Sequence, residues 1–352
     1  MLVTVLIFLA VLVGIIVAHE LGHFITAKAS GVEVKEFGVG LPPRLFGIKR
    51  GETVYSLNAI PLGGFTKMAG EEDPGVPRSL ASKSFGARLL VLSAGSLMNF
   101  LLPLLLFTIA FVIPHNMVIG DVLVEDVASG SPAAVAGIEP GDMIVSINGK
   151  PINNSSDLQR YIQLGLGKET TVRVEHSDST VEDVSLVPRW RPPEGQGAVG
   201  IVISMPETTV IRQSEPFWEA PSLAVSACVE TMGLFKNAIL SMLAGTSSLT
   251  LTGPVGIAQM TGEVARVGIS PLLEFAAFLS LNIGLINLFP LPALDGGRIC
   301  FLLLEKIRRG RRVSPKTEGM VHLIGFLLLM GVLAAVTYGD IMRIVSGGNL
   351  AP

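Results

Sequence analysis

Residues 19–23 read His19-Glu20-Leu21-Gly22-His23, two imidazoles at i and i+4 with a carboxylate beside the first. On a helix this spacing brings both rings to one face about one turn apart, which suits a single zinc ion. Glu20 then stands where it can act as a base on water beside the ion. The pattern closes an apolar stretch, since Leu2 to Ala18 carries no charge. Polar side chains inside a membrane span cost roughly 2–3 kcal/mol or more each, so a metal explains them better than core histidines bonded to backbone carbonyls. The motif therefore reads as a zinc hydrolase centre lying below a membrane surface.

The third ligand has to come from another span at the same depth. Asp295 meets that demand: it is the only acid between Glu274 and Glu305, inside an apolar run. It sits in Asn287-Leu288-Phe289-Pro290-Leu291-Pro292-Ala293-Leu294-Asp295-Gly296-Gly297. Pro290 and Pro292 break a helix there, and the two glycines let backbone approach closely. Broken backbone at membrane depth is tolerated only where protein or water covers it, and a hydrolytic site needs that water. Two histidines and one carboxylate leave a fourth zinc position open. The competing role for Asp295 is a plain helix cap.

The elements that must hold these residues follow from composition. The chain has 352 residues, 49% hydrophobic and 16% charged, values that point to a multi-span membrane protein with a water-exposed part. A net charge of -3 gives no reason to expect nucleic acid as a partner. Cys228 and Cys300 are far apart and build neither a disulfide framework nor a thiolate zinc motif. Four apolar stretches reach the ~20 residues that a hydrocarbon core demands. They are Leu2 to Ala29, Leu89 to Ile113, Leu272 to Leu304 (interrupted by the prolines) and Val321 to Tyr338. The first lacks a basic leader and a small-x-small cleavage pattern, so it is kept as a span rather than a discarded signal.

Residues 1–115 thus form an N-terminal membrane part, and 271–352 a C-terminal one. Between the first two spans, Gly31 to Arg88 is too apolar for an ordinary loop and too rich in Gly and Pro for a span. It reads as a hairpin dipping into the membrane interior. Residues 116–204 alternate in short strands, with Asn148-Gly149 as a hairpin turn and Asp157 to Leu164 as a short helix. This is a small soluble α+β domain with its own core. Residues 205–270 connect it to the third span. Within them, Pro216 to Ala244 is amphipathic, interrupted by Glu219, Glu230 and Lys236, and reads as a helix along the membrane surface, with a fifth span as the alternative. Gly245 to Gly268 reads as a Gly-rich connection.

Basic residues cluster between spans one and two (Lys28, Lys35, Arg44, Lys49, Arg50, Lys67, Arg78, Lys83, Arg88) and between spans three and four (Lys306 to Lys316). The positive-inside rule places both segments in the cytoplasm, with the soluble domain and both termini outside.

Taken in order, these parts resemble the site-2 proteases, intramembrane zinc metalloproteases of regulated intramembrane proteolysis. The likeness is to the bacterial branch that includes the sigma-E protease and carries extracytoplasmic PDZ domains. It is carried by His19 to His23, by Pro61-Leu62-Gly63-Gly64-Phe65, by Asn287 to Gly296, and by a single PDZ-like run from Gly130-Ser131-Pro132-Ala133-Ala134 to Asn148-Gly149. One departure is visible: the family's Ala-Gly-Pro-x-x-Asn is Ala94-Gly95-Ser96-Leu97-Met98-Asn99 here.

The resemblance implies a polytopic α-helical membrane protein of about four transmembrane helices, with a membrane-associated β-hairpin region and an inserted extracytoplasmic α+β PDZ domain. It implies one Zn2+ per chain on His19, His23 and Asp295, with Glu20 as general base, in a bacterial inner membrane with the active site toward the cytoplasm. Substrates would be single-span membrane proteins pre-trimmed by another protease, such as anti-sigma factors or remnant signal peptides. The hairpin would pair with the unwound substrate as an added strand, with Gly63, Gly64, Asn99 and Asn287 as substrate contacts. For Asn287, satisfying broken-helix carbonyls is an equal alternative. Gly197-Ala198-Val199-Gly200-Ile201 would be the peptide-binding strand of the PDZ domain, which acts as a gate or size filter. Two rival classes remain: a membrane scaffold whose metal site is structural or inactive, and a metal transporter using the same ligands.

Overall fold

The computed structural model describes residues 2–71, 73–246 and 252–346, and of Leu62 only the backbone. In chain order, helix α1 (Leu2–Ala29) leads to two long strands, β1 (Val34–Arg50) and β2 (Thr53–Met68), and then to α2 (Phe85–Val112). Next come β3 (His115–Ile119), β4 (Leu123–Val127), α3 (Pro132–Val135), β5 (Met143–Ile147), β6 (Lys150–Pro151), α4 (Ser155–Leu164), β7 (Thr170–Glu175), β8 (Val181–Leu186), β9 (Ile201–Ser204) and β10 (Thr209–Gln213). The chain closes with α5 (Ala220–Leu243), α6 (Pro254–Val267), α7 (Ile269–Leu288), α8 (Asp295–Ile307) and α9 (Pro315–Val345). It divides into two compact units. One gathers Met1–Val112, Phe217–Ala224 and Leu251–Pro352; the other gathers Ile113–Pro216 and Val225–Thr250.

In the first unit, small residues let helices meet backbone to backbone, the packing that membrane helices favour. A Cβ on Gly22 of α1 would lie 2.3 Å from the Ala94 carbonyl oxygen of α2. On the other side of α2, a Cβ on Gly284 of α7 would lie 3.1 Å from Asn99 Cβ, and Ser280 Oγ donates to the Asn99 carbonyl at 3.0 Å. Helix α2 is therefore clasped between α1 and α7.

The hairpin bends back on itself. Glu36 to Val39 pairs with Val54 to Leu57 on one side and with Gly64 to Lys67 on the other, while Phe46 to Arg50 pairs outside Thr53 to Leu57. Gly64 to Lys67 is consequently an edge, and among the described residues no further strand pairs with it. A Cβ on Gly38 would lie 2.5 Å from the Phe65 ring, so glycine lets that ring cross the sheet.

The second unit holds an antiparallel sheet in the order β8-β7-β5-β4-β9, with α4 over a core of Val124, Ile144, Ile147, Leu158, Ile162, Val172 and Val174. Its entering and leaving segments are zipped together as β3 and β10. Ile201 opens edge strand β9; residues 198–200 before it spend their carbonyls on the N–H groups of Arg189, Ala133 and Ala128. Only the final residue of the expected peptide-binding strand is thus in the sheet.

Against the four spans expected from sequence, five helices among the described residues are long and apolar enough to cross a membrane: α1, α2, α5, α7 and α9. The extra one is α5, which qualifies because Glu219 falls outside it and only Glu230 and Lys236 interrupt it. The interrupted third span is two helices, of which α7 alone has the length. The Gly-rich stretch 245–268 contains helix α6. Its glycines are contact points rather than loop signals: a Cβ on Gly262 would lie 2.2 Å from Thr4 of α1.

Candidate metal centre

Helix α1 turns His19 and His23 toward α2 and Glu20 toward the hairpin, and the backbone of α2 takes hold of His23. His23, 6% exposed, bonds through Nδ1 to the Val91 carbonyl at 2.7 Å, which leaves its Nε2 pointing inward. Gly95 makes the room: a Cβ there would lie 2.3 Å from His23 Nε2 and 2.6 Å from His19 Nε2. Asn99, fully buried, places Nδ2 3.3 Å from His19 Nδ1.

Asp295 arrives from the far end of the chain. Helix α7 stops at Leu288, and Phe289 is extended (ψ 144°), as Pro290 requires of its predecessor. The chain returns through Ala293, at φ +76°, and starts α8 at Asp295. Cβ atoms on Gly296 and Gly297 would lie 2.1 Å from the Phe289 oxygen and 2.5 Å from the Leu291 oxygen, so the two glycines permit the tight return.

Asp295 Oδ2 lies 3.2 Å from His19 Nε2 and 3.2 Å from His23 Nε2, and the two nitrogens are 3.3 Å apart. These residues form a group of potential metal ligands. Donors held about 2.0–2.2 Å from a tetrahedral zinc stand roughly 3.3–3.6 Å apart. The triangle comes within about 0.1 Å of that size, and its donor set of two imidazoles and a carboxylate suits zinc with one position left for substrate or water.

Glu20 lines the same cavity without belonging to the triangle. Its Oε2 accepts the Thr66 hydroxyl at 2.7 Å, and the same hydroxyl lies 3.1 Å from the Glu20 carbonyl oxygen. Gly64 allows the approach, since a Cβ there would lie 2.9 Å from Glu20 Cγ. The edge residues Gly64 to Lys67 border the cavity, and the Glu71–Arg298 ion pair (2.8 Å) joins its lining.

Of the other residues singled out from sequence, Gly64 sits against Glu20, whereas Gly63 (φ +131°) faces Leu41. Asn99 is sealed among α1, α2 and α7 and presents its amide to His19, a place substrate does not reach. Asn287 is half-buried near the end of α7, and it does not line the cavity. Thr66 and the Val91 carbonyl are not singled out by the sequence, and Gly95 appears there only within the Ala94–Asn99 motif, with no role at the site. Gly95 carried a visible signal, a small residue in α2 matching Gly22 of α1; a backbone carbonyl carries none.

A model described as Peptidase family M50 matches residues 7–332. A Clostridium perfringens protein described as a zinc metalloprotease is 36% identical over 334 residues, covering 94% of this chain and 96% of its own. The zinc metalloprotease RasP of Geobacillus kaustophilus is 29% identical over 422 aligned residues, covering 96% and 97%. The regulator of sigma-W protease RasP of Bacillus subtilis is 28% identical over 427, covering 97% and 99%. Among solved structures, the PDZ domain of an SdrC-like protein from Listeria innocua covers 25% of this chain and 97% of its own, at 24% identity and a TM-score of 0.22.

Proposed function

We propose that this chain, which belongs to peptidase family M50, the site-2 proteases, is a zinc endopeptidase that cuts the transmembrane segments of single-span membrane proteins. That it is a membrane metalloendopeptidase goes with the family and with relatives named as zinc metalloproteases. The intramembrane substrate and the residue roles are our reading. The observation that carries it is the 3.2–3.3 Å triangle of His19, His23 and Asp295, opening on a cavity shared with Glu20 and a free strand edge.

In this reading His19, His23 and Asp295 hold one zinc per chain. When bound, zinc supplies Lewis acidity, acidifying water and polarising a peptide carbonyl. Glu20 is the general base. Thr66 holds its Oε2, and the carboxylate so oriented takes the proton from water and later returns it to the leaving amine nitrogen. A transmembrane helix has its amides already bonded and must unwind before it is cut. The Gly64 to Lys67 edge offers backbone groups on which the unwound segment can add as a strand, beside Glu20.

The triangle also bears on topology. His19 and His23 lie toward the C-terminal end of α1, and Asp295 follows the C-terminal end of α7 after a short return, so in this reading the two helices run the same way through the bilayer and an odd number of crossings separates them. Helix α2 is one such crossing. If α5 crossed as well, α7 would be inverted and Asp295 would lie on the opposite side from the histidines. In its own unit, α5 is tied sideways to the soluble insert: Glu230 pairs with Lys150 and Arg160, and Asn237 donates to the Gln163 carbonyl at 2.7 Å. We therefore read four crossings (α1, α2, α7, α9), with α5 beside the insert. The basic segments put the metal centre toward the cytoplasm of a bacterial inner membrane, and the insert and both termini outside.

The insert, read as a PDZ-like domain with edge strand β9, acts as a filter that admits substrates whose outer part another protease has already trimmed. A B. subtilis relative is named a regulator of sigma-W protease, so membrane-bound regulators of sigma factors are the first substrates to try. The direct test uses purified protein, a single-span model substrate and zinc analysis, comparing wild type with Glu20→Gln. Retained zinc with cleavage reduced at least about 100-fold is expected. Equal cleavage by both would favour the rival reading, a scaffold with a structural metal.

A further inference from the structure

Helix α9 is exposed along most of its length, yet two of its residues are fitted to the turn that delivers Asp295. His322 Nδ1 accepts a hydrogen bond from the Ala293 N–H at 2.9 Å. One turn further along, a Cβ on Gly325 would lie 2.3 Å from Pro292 Cβ. The helix is thus laid directly onto Pro292-Ala293, and only a glycine at 325 allows it.

What it holds there is an unfavourable conformation. Ala293 sits at φ +76°, in the left-handed region that residues with a Cβ avoid. It is two residues from Asp295 and lines the cavity of the metal centre. Released from its partner, Ala293 would relax toward an ordinary φ and swing Leu294 and Asp295 with it. His322 also carries a mark of specialisation. Its other ring nitrogen, Nε2, is buried with no hydrogen-bond partner among the described residues. An imidazole with one unpaired buried nitrogen is a poor filler for an apolar helix, so the bond made by Nδ1 is what accounts for it.

We propose that His322 is a positioning residue of the metal centre, holding Ala293 left-handed and so aiming the Asp295 carboxylate at His19 and His23. This rests on the reading of Asp295 as a ligand, and the two are separable by experiment. The full-length protein is purified with His322→Leu, His322→Asn, His322→Gln and Asp295→Ala. Zinc affinity is measured by chelator competition, and the visible spectrum of the cobalt-substituted protein reports the ligand field.

Loss of a group that orients a ligand lowers metal affinity by about 10–100-fold, which is expected for His322→Leu together with an altered cobalt spectrum. The amide oxygen of Asn can stand where Nδ1 stood, so His322→Asn restores most of the affinity; Gln, one carbon longer, does not. Wild-type affinity and spectrum in His322→Leu, with zinc lost in Asp295→Ala, would overturn the proposal and leave the ligand reading intact. Undiminished zinc in Asp295→Ala would remove the ligand reading itself. Should the Leu variant not fold, the Asn and Gln variants decide, and equal affinities in those two overturn the proposal.

Discussion

Gly95 on α2 faces the imidazole of His23 with nothing between them, and a methyl group there would come 2.3 Å from Nε2. Helix α2 supplies none of the proposed ligands, yet its surface fixes how closely they gather. Gly95→Ala forces either the rings or the helix to move, at about 1–3 kcal/mol. Strain taken up by the ligands lowers zinc affinity on the order of 10- to 100-fold. Metal content and affinity on purified Gly95→Ala protein, with its melting temperature as control, measure this; normal zinc binding would show that the rings have slack.

Thr66 is the partner of Glu20, through a 2.7 Å hydrogen bond to Oε2. Thr66→Val removes the hydroxyl at nearly constant volume and leaves the carboxylate free to rotate away. Turnover is expected to fall roughly 10–100-fold, with KM and bound zinc little changed, because only the orientation of the base is touched. Thr66→Ser keeps the donor and most of the rate. A loss in KM rather than kcat would move Thr66 from the base to substrate binding.

In the second unit, His176 Nδ1 lies 2.9 Å from Oδ1 of the buried Asp142, with Glu182 3.7 Å from its other nitrogen. The hydrogen bond to Asp142 raises the imidazole pKa above its ordinary value, burial opposing. A group whose pKa is raised on folding stabilises fully below its unfolded value, near 6.5, and loses that contribution as pH rises through the folded value. Hydrogen exchange at β5 and β7 in the full chain is therefore expected to quicken as pH rises above about 6.5, after correction for the intrinsic rate. His176→Gln flattens the dependence. An unchanged profile in that variant would assign it to another group.

The proposed four crossings would put both termini on one side of the membrane. Reporter tags at the two ends are expected to respond alike to protease added to sealed vesicles, and to respond together with the insert. Opposite accessibility would require α5 or another helix to cross, and the orientation of α7 would have to be reconsidered.

Much of the centre was legible because ionisable residues in apolar helices announce themselves. His19, Glu20, His23 and Asp295 stand out against their surroundings, and Pro290 and Pro292 mark where α7 ends. His322 announces itself in the same way inside α9, but its partner is a backbone N–H, which composition never displays. The same limit hid the Val91 carbonyl behind His23. Helix α6 was missed for another reason. Gly256 and Gly262 lower helix propensity locally, while their packing against Asp340 and Thr4 is tertiary and overrides it. Helix α5 is ambiguous by length and hydropathy, and what bears on the choice is tertiary: the ion pairs of Glu230, the Asn237 hydrogen bond and the direction α7 must run to bring Asp295 to the histidines.

The pairing of β3 with β10 sets His115 directly opposite Gln213. The ninety-odd residues between them leave and rejoin the chain at neighbouring points, as a drawer slides from a cabinet. Such a module can be lengthened, exchanged or removed by recombination, because closing the gap takes no more than a short turn between strands already in register. Change in the insert is thereby uncoupled from preservation of the membrane unit that carries the candidate metal centre.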